Sequence, residues 1–428
     1  MMKIYRYNEV PLESLLIRTV ETSGVQDSVR AIIQDVISRG DDALFEYSNR
    51  FDGANLDSLE VSAEEIDRAY NNVDPEFIHV LNRAADNIRR FHEMQRQDGF
   101  LLEQPDGTYM GIKVTPIENV GLCIPGRTAA YPSTVLMTAI PAKIAGCRQL
   151  VMVSPPGVDG KQPDAILAAA KIAGVDRIFR IGGAQAVAAL AYGTQSVPKV
   201  DKIVGPGSAF VAEAKRQVFG AVDIDMIAGP SEILVVADAT CDPVNVAADL
   251  LSQAEHDVLA SAVLITDSEQ LACAVQAEID RQLSVLPREE IARKSIEDNG
   301  KIIITQDLPG AVEAANILAP EHLEICTDNP EQFLPYIRNA GSVFLGKYTP
   351  EALGDYLAGP NHTLPTCGAA RFSSPLSVDD FIKKTQYTYF TENALHAVSD
   401  DIACFARREG LEAHARSALV RYNKEVVK

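Results

Sequence analysis

Apolar residues recur at three- and four-residue spacing through the first hundred or so positions, and this period predicts helices. "SAEEIDRAY" opens with a capping box, Ser62 followed three residues later by Glu65. "DPEFIHVLNRAADNIRRFHEMQRQ" continues the helical period, and His79 and His92 within these helices read as structural or solvated. From about Gly111 the pattern changes to short apolar strands alternating with helices. "QLVMVSPP", "RIFRIGG" and "KVDKIVGPG" read as strands, with "PDAILAAAKIAGV", "AQAVAALAYGT" and "SAFVAEAKRQVFG" as helices. The alternation resumes after Ile233 with "EILVVAD", "SAVLITD", "KIIITQ", "HLEICT" and "SVFLG". Strand–helix alternation of this kind predicts βαβ units and parallel sheets.

Two α/β modules in sequence, a helical N-terminal region and a tail from about Ser377 are therefore expected. Neither a short-period repeat nor a low-complexity linker is present. At 428 residues the chain is long enough for two or three domains.

Charge and cysteine content narrow the chemistry. The 39 basic and 59 acidic residues give a net charge of −20, a surface that repels phosphate backbones and anionic membranes. Neither nucleic acid nor membrane is expected as a partner. No apolar run approaches the roughly 18 residues of a membrane span. "MMKIYRYNEVPLESLL" has no signal-peptide pattern, so a cytoplasmic location is expected. The seven cysteines are scattered and contain no CxxC pair, which fits reduced, packed thiols. Any metal must then be held by His, carboxylate or amide groups.

Four stretches carry such groups. In "DLLSQAEHD", Asp249, Gln253 and His256 lie at i, i+4 and i+7 of a predicted helix, and imidazole and amide oxygen on one stripe can reach one ion. The alternative is a polar helix end with a histidine near the negative end of the dipole. "LAPEHLEI" sets Glu321 beside His322 on a loop before a strand, a pairing suited to proton transfer near neutral pH. A loop simply facing water is the other reading. "LGDYLAGPNHTLP" places Asp355 and His362 around a Gly-Pro-Asn turn, and "REGLEAH" places Glu409 and His414 near the last helix. Glycine-rich strand-to-helix turns, "CIPGRTAAYP", "IGGAQA" and "VGPGSAF", can bind phosphates at helix N-termini, but none has GxGxxG spacing. Spacing alone assembles no site from groups a hundred residues apart. It stops at an acidic α/β enzyme with a possible metal requirement.

Taken together and in order, these stretches resemble the L-histidinol dehydrogenase family. The likeness is carried by "STVLMTAIPAKIAGC", "IGGAQAVAALAYGT", "VPKVDKIVGPG", "EAKRQVFG", "AGPSEILVVAD", "DLLSQAEHD", "APEHLE", "GDYLAGPNHTLPT" and "GLEAHARSA", from Ser133 to Ala418. The resemblance implies a zinc- and NAD-dependent oxidation of L-histidinol to L-histidine through the aldehyde, the last steps of histidine biosynthesis, with two NAD+ and one zinc per subunit. It implies Gln253, His256, Asp355 and His414 as zinc ligands, which also contact substrate, and Glu321 and His322 as the acid–base pair. His322, Ser231, His362 and Glu409 match substrate contacts, and Cys123, Gln185 and Ser208 match cofactor contacts. It further implies a homodimer in which the tail carries Glu409 and His414 to the partner's site. The architecture implied is two Rossmann-like doubly wound parallel-sheet domains. Residues 1–122 plus 233–376 would form the first, 123–232 the second, and 377–428 a helical tail.

Departures from the family pattern cluster on the cofactor side. "VGLCIPGRT" stands where "VGLYVPGGT" is usual, so Cys123 and Arg127 are unusual; Ser208 replaces Asn in "GPGN", and Val258 and Leu259 replace Pro-Asp. Cofactor affinity, and zinc versus cobalt or manganese, are left open by the sequence, and Asp249 has no assigned role. A paralogous dehydrogenase of another small alcohol and a zinc hydrolase using Glu321 are the competing readings. Retention of His362 and Glu409 weighs against the first, and the three glycine-rich helix starts against the second.

Overall fold

The computed structural model describes residues 2–7, 9, 11, 24–126 and 130–422; Arg127 lies outside them. The strands are β1 (Lys3–Arg6), β2 (Phe100–Glu103), β3 (Tyr109–Pro116), β4 (Asn119–Cys123), β5 (Gln149–Val153), β6 (Arg177–Phe179), β7 (Lys202–Val204), β8 (Asp223–Ile224), β9 (Glu232–Ala237), β10 (Ser261–Thr266), β11 (Lys301–Ile304), β12 (His322–Cys326), β13 (Ser342–Leu345) and β14 (Ile382–Tyr389). Two compact units result. The first comprises Met1–Arg96 and Ile117–Phe381, the second Gln97–Pro116 and Ile382–Lys428.

The first unit holds two parallel sheets, so the α/β class read from the sequence is the fold observed. One sheet runs β1-β11-β10-β9-β12-β13 with every pair parallel. Its central strands β9 and β10 are buried and almost wholly apolar, as a sheet covered on both faces requires. Helices Pro243–Ala254, Glu269–Leu283 and Glu289–Asp298 bury one face with Ile233, Val235 and Leu264. Helix Leu308–Leu318 covers the other with Leu234, Val236 and Leu323. Successive strands step outward from β9 through β10 to β11, and β12 then starts on the other side of β9.

The second parallel sheet runs β6-β5-β4-β7-β8, with the same reversal between β4 and β7. Helices Pro132–Ala145 and Asp164–Ala173 cover one face, and Gly183–Tyr192 and Ala209–Val218 the other. The N-terminal helices differ from the expected partition, because they flank this sheet and not the six-stranded one. Leu81, Ala85 and Ile88 of helix Pro75–Glu93 pack with Leu122 and Leu150, and Val29, Ile33 and Val36 of helix Gln26–Arg39 pack on the opposite face with Val151 and Val187. Their apolar stripes pack on this sheet's own helices, Pro75–Glu93 on Pro132–Ala145 and Gln26–Arg39 on Gly183–Tyr192. Among the described residues of the N-terminal region only β1 joins the six-stranded sheet, and β4, which straddles the expected boundary at 122/123, belongs wholly to the five-stranded one. The capping box of Ser62 and Glu65 is formed as read.

The second unit differs from the expected all-helical tail. Its C-terminal segment opens with β14, which pairs antiparallel with β3 along its whole length, and β3 in turn pairs with β2. "IKKTQYTY" is rich in β-branched and aromatic residues, which favour the pleated strand over the helix. Helices Glu392–Arg408 and Glu412–Leu419 follow and pack through Ala403, Ala406, Ala415 and Leu419.

Candidate active site

The centre of the site lies at the amino edge of the six-stranded sheet, where the strand order reverses. Helix Leu308–Leu318 closes on Ala319 in the left-handed region at φ 47°, and Pro320 then sends the chain into β12. Glu321 and His322 are thereby delivered, both buried, beside the first residue of β9. The Glu232 backbone holds the pair. Its N–H donates to Glu321 Oε2 at 2.8 Å, and its carbonyl accepts from His322 Nδ1 at 2.9 Å. A carbonyl only accepts, so the ring proton sits on Nδ1 and Nε2 presents its lone pair to the site.

Burial lowers the His322 imidazolium to about 4, and the nearby imidazoles of His362 and His256 add to the effect, against Asp355 and the Glu232 carbonyl. The ring is therefore a neutral base at physiological pH. Burial has the opposite effect on the Glu321 carboxyl and raises it well above the ordinary range, reinforced by the charges of Glu232, Asp355 and Glu351. Its carboxyl Oε2 stands 3.7 Å from His322 Nδ1.

Facing Nε2 is the short helix Glu351–Tyr356. Glu351 Oε1 lies 3.7 Å from His322 Nε2, and its Oε2 accepts from Ser252 Oγ at 3.3 Å. One turn on, Asp355 lies beside His362, whose Nδ1 is 3.5 Å from Asp355 Oδ1 and 3.2 Å from its carbonyl oxygen. His362 Nε2 meets Thr134 Oγ1 at 3.3 Å. Side-chain ligand atoms of His322, Glu351 and Asp355 all lie within 4.8 Å of one another. Burial alone would raise the Asp355 carboxyl, but its hydrogen bond to His362 and the charge of that ring hold it down to about 2. Burial and the charge of Asp355 push Glu351 up to about 8.

Gln253 closes the cluster from the last turn of helix Pro243–Ala254. It is 1% exposed and its side chain bonds Glu351, yet its Oε1 accepts no hydrogen bond among the described residues. His256 follows just past the helix, its N–H donating to Gln253 O at 3.1 Å.

At the carboxyl edge of the five-stranded sheet, Cys123 ends β4, Gln185 lies in the first turn of the helix after β6, and Ser208 stands immediately before the helix after β7. β4 and β7 flank the reversal of strand order, the place where open α/β sheets bind ligands. Gly205 (φ 109°) brings its backbone against Cys123, and a Cβ there would lie 2.2 Å from the Cys123 carbonyl oxygen. The Cys123 thiol packs in the core and burial pushes it up to about 12.

The sequence pattern of the histidinol dehydrogenase family matches residues 17–422. A histidinol dehydrogenase of Geobacillus kaustophilus is 54% identical over 95% of this chain and 96% of its own. That of Bacillus subtilis is 52% identical over 92% and 93%. The crystal structure of histidinol dehydrogenase from Elizabethkingia anophelis superposes with a TM-score of 0.94 at 38% identity, covering 98% of each chain. The chain belongs to the histidinol dehydrogenase family.

Of the residues read from the sequence, the structure brings Glu321, His322, Gln253, Asp355 and His362 into one cluster, and His256 close enough to influence His322. Ser231 lies half-buried just before β9. Glu409 and His414 sit on the second unit, both exposed. The sequence reading passed over Glu351 and Glu232. Glu351 stands four residues before Asp355, one helical turn away, and that spacing was the available signal; Glu232 acts through its backbone, which no residue type announces. The donor set suits a divalent cation. Among the described residues, buried acceptors at Gln253 Oε1 and Glu351 Oε1 meet no protein donor, and acidic side chains outnumber basic ones around them.

Proposed function

We propose that the chain is an L-histidinol dehydrogenase that oxidises L-histidinol to L-histidine through the aldehyde. The balance is one alcohol, one water and two NAD+ giving one carboxylate, two NADH and three protons. The observation that carries this reading is His322, a neutral buried base whose Nε2 lone pair faces the carboxyl cluster while Nδ1 is pinned to Glu232.

Gln253, His256 and Asp355, with His414 of the tail, are read as the groups that would hold zinc. His322 is kept out of that set because its Nε2 is needed for protons. When bound, zinc supplies a fixed positive charge that anchors the imidazole and amine of the substrate, and NAD+ accepts hydride. His322 Nε2 takes the hydroxyl proton as hydride leaves in the first oxidation. In the second, Glu321 in its ionised form, oriented by the Glu232 N–H, draws the proton from water attacking the aldehyde. His362 and Glu409 are read as contacts to the two ends of the substrate and Ser231 as a third. Gln185, Ser208 and the backbone at Cys123 are read as lining the NAD site, with the two parallel sheets as two Rossmann-like domains.

A homodimer completes the reading. The second unit exposes Phe100, Leu101, Leu102, Tyr387, Tyr389, Phe390 and Phe405, an apolar surface suited to a second copy. Glu409 and His414 on this unit are read as completing the partner's site. No described helix is long and apolar enough to cross a membrane, and a cytoplasmic location fits a reaction that consumes NAD+.

The test is NADH formation with histidinol as sole substrate. Two NADH per histidinol, abolished by a chelator and restored by zinc, is the expected result. No NADH with or without added metal would overturn the assignment.

A further inference from the structure

His322, Glu324 and Cys326 alternate onto one face of β12, towards helix Pro243–Ala254, while Leu323 and Ile325 enter the opposite core. Glu324 is 1% exposed in the middle of that strand, and a lone carboxylate there is costly unless it is partnered. Its Oε1 accepts the backbone N–H of Glu351 at 2.7 Å and so fixes the start of helix Glu351–Tyr356. Its carboxyl is also hydrogen-bonded to Asp249 on helix Pro243–Ala254. The side-chain ligand atoms of Asp249, Glu324 and Cys326 lie within 4.8 Å of one another.

This one contact joins the three elements that carry the site. Asp249 is one turn before Gln253, Glu351 is one turn before Asp355, and Glu324 is two residues beyond His322 on the same face. Ser252 Oγ ties the same helix to Glu351 Oε2 at 3.3 Å. We propose that Asp249 and Glu324 form a positioning strut that sets the spacing between Gln253, Asp355 and His322. The inference rests on the zinc-site reading above. The two acids need one proton between them. Burial raises Asp249 to about 6 and raises Glu324 well above the ordinary range, so Glu324 donates and Asp249 accepts. Both act through the residues one turn away.

Four variants of the full-length protein test the strut: Asp249→Ala, Glu324→Leu, Asp249→Asn and Glu324→Gln. The last two keep a hydrogen bond. In Glu324→Gln, the new side-chain amide can donate to Asp249 while its oxygen still accepts from Glu351 N–H. Zinc affinity of the metal-free protein is measured by competition with a chromogenic chelator, alongside thermal unfolding. Asp249→Ala and Glu324→Leu are expected to weaken zinc binding about 10–100-fold, the usual effect of losing a partner behind the ligands. Asp249→Asn and Glu324→Gln are expected to stay within about threefold of wild type. Wild-type zinc affinity in Asp249→Ala or Glu324→Leu overturns the strut, whether or not the melting temperature falls. Should Glu324→Leu not fold, Asp249→Ala decides. If the wild-type protein itself binds no zinc, the site reading fails, and the strut with it.

Discussion

Glu351 Oε1 lies 3.7 Å from His322 Nε2, across the ring from the bond that pins Nδ1 to Glu232. Burial and the charge of Asp355 push the Glu351 carboxyl up to about 8, so near neutral pH it is mostly protonated and faces the imidazole lone pair without repulsion. Once Nε2 accepts a proton, the imidazolium favours the ionised form of Glu351, which becomes its counter-charge. Glu351→Gln should therefore lower kcat about 10–100-fold while KM for histidinol moves little, with Glu351→Asp recovering part of the loss. His322→Asn should cost about 100–10,000-fold in kcat with zinc content unchanged. Loss of zinc from His322→Asn would make the residue a ligand instead of the base. Steady-state kinetics with metal analysis on the same samples separates the two.

The loop after β7 hangs on a buried ion pair. Lys215 Nζ pairs with the Asp225 carboxylate and donates to Gly205 O at 3.1 Å, while Asp225 Oδ2 accepts from Gly205 N–H at 2.7 Å. The two side chains are 2% and 1% exposed. Lys215→Met leaves Asp225 charged and unpaired, at a cost of about 3–5 kcal/mol. Lys215→Met with Asp225→Leu should recover much of that loss in urea unfolding. Because the same pair fixes the Gly205–Ser208 backbone, KM for NAD+ should rise in both. An unfolding midpoint equal to wild type in Lys215→Met would refute the pairing.

His92 stands behind the Gly-Pro-Asn turn. It is fully buried, its Nδ1 donates to Ile88 O at 2.9 Å, and Asn361 Nδ2 approaches its Nε2 at 3.4 Å. Burial lowers the ring below its ordinary 6.5. The unfolded chain thus takes up a proton near 6.5 that the folded chain resists, so stability falls as pH drops below 6.5 towards the folded value. His92→Gln, which keeps polar groups but cannot titrate, should flatten that acid limb. Urea midpoints compared at about pH 7.5 and about pH 5.5 measure it; equal slopes for the two proteins would rule out His92 as the source.

Much of this was legible in the chain, and the exceptions have physical causes. The long apolar runs of β9 to β12 announced a buried parallel sheet, because strands covered on both faces need no alternation. Glu321 and His322 stood out as a pair, but their position at the amino edge was not predictable, since the general rule for open α/β sheets favours carboxyl edges. Helices 26–93 showed their apolar stripes without showing which sheet would receive them. Residue period reports a face, not its partner. Glu324 looked like one polar interruption in an apolar strand, and only the fold brings Asp249 to it. β14 was hidden because "IKKTQYTY" is exposed along most of its length and carries no apolar alternation.

Subunit complementation tests the origin of Glu409 and His414. His322→Asn removes the base from a chain's own site, and His414→Ala removes a ligand that the dimer reading assigns to the partner's. Each variant alone should be nearly inactive. In a mixed dimer, the His414→Ala chain keeps its own His322 and receives an intact His414 from the other subunit, giving one complete site. The second site carries both defects. Equal mixing produces mixed dimers as about half of the population, so activity should recover to about a quarter of wild type. If His414 served its own chain, every site would hold one defect and the mixture would be no more active than its parts. Activity is read after co-refolding and again after co-expression with two affinity tags to isolate the mixed species. A purified mixed dimer at about half of wild-type turnover is the expected result.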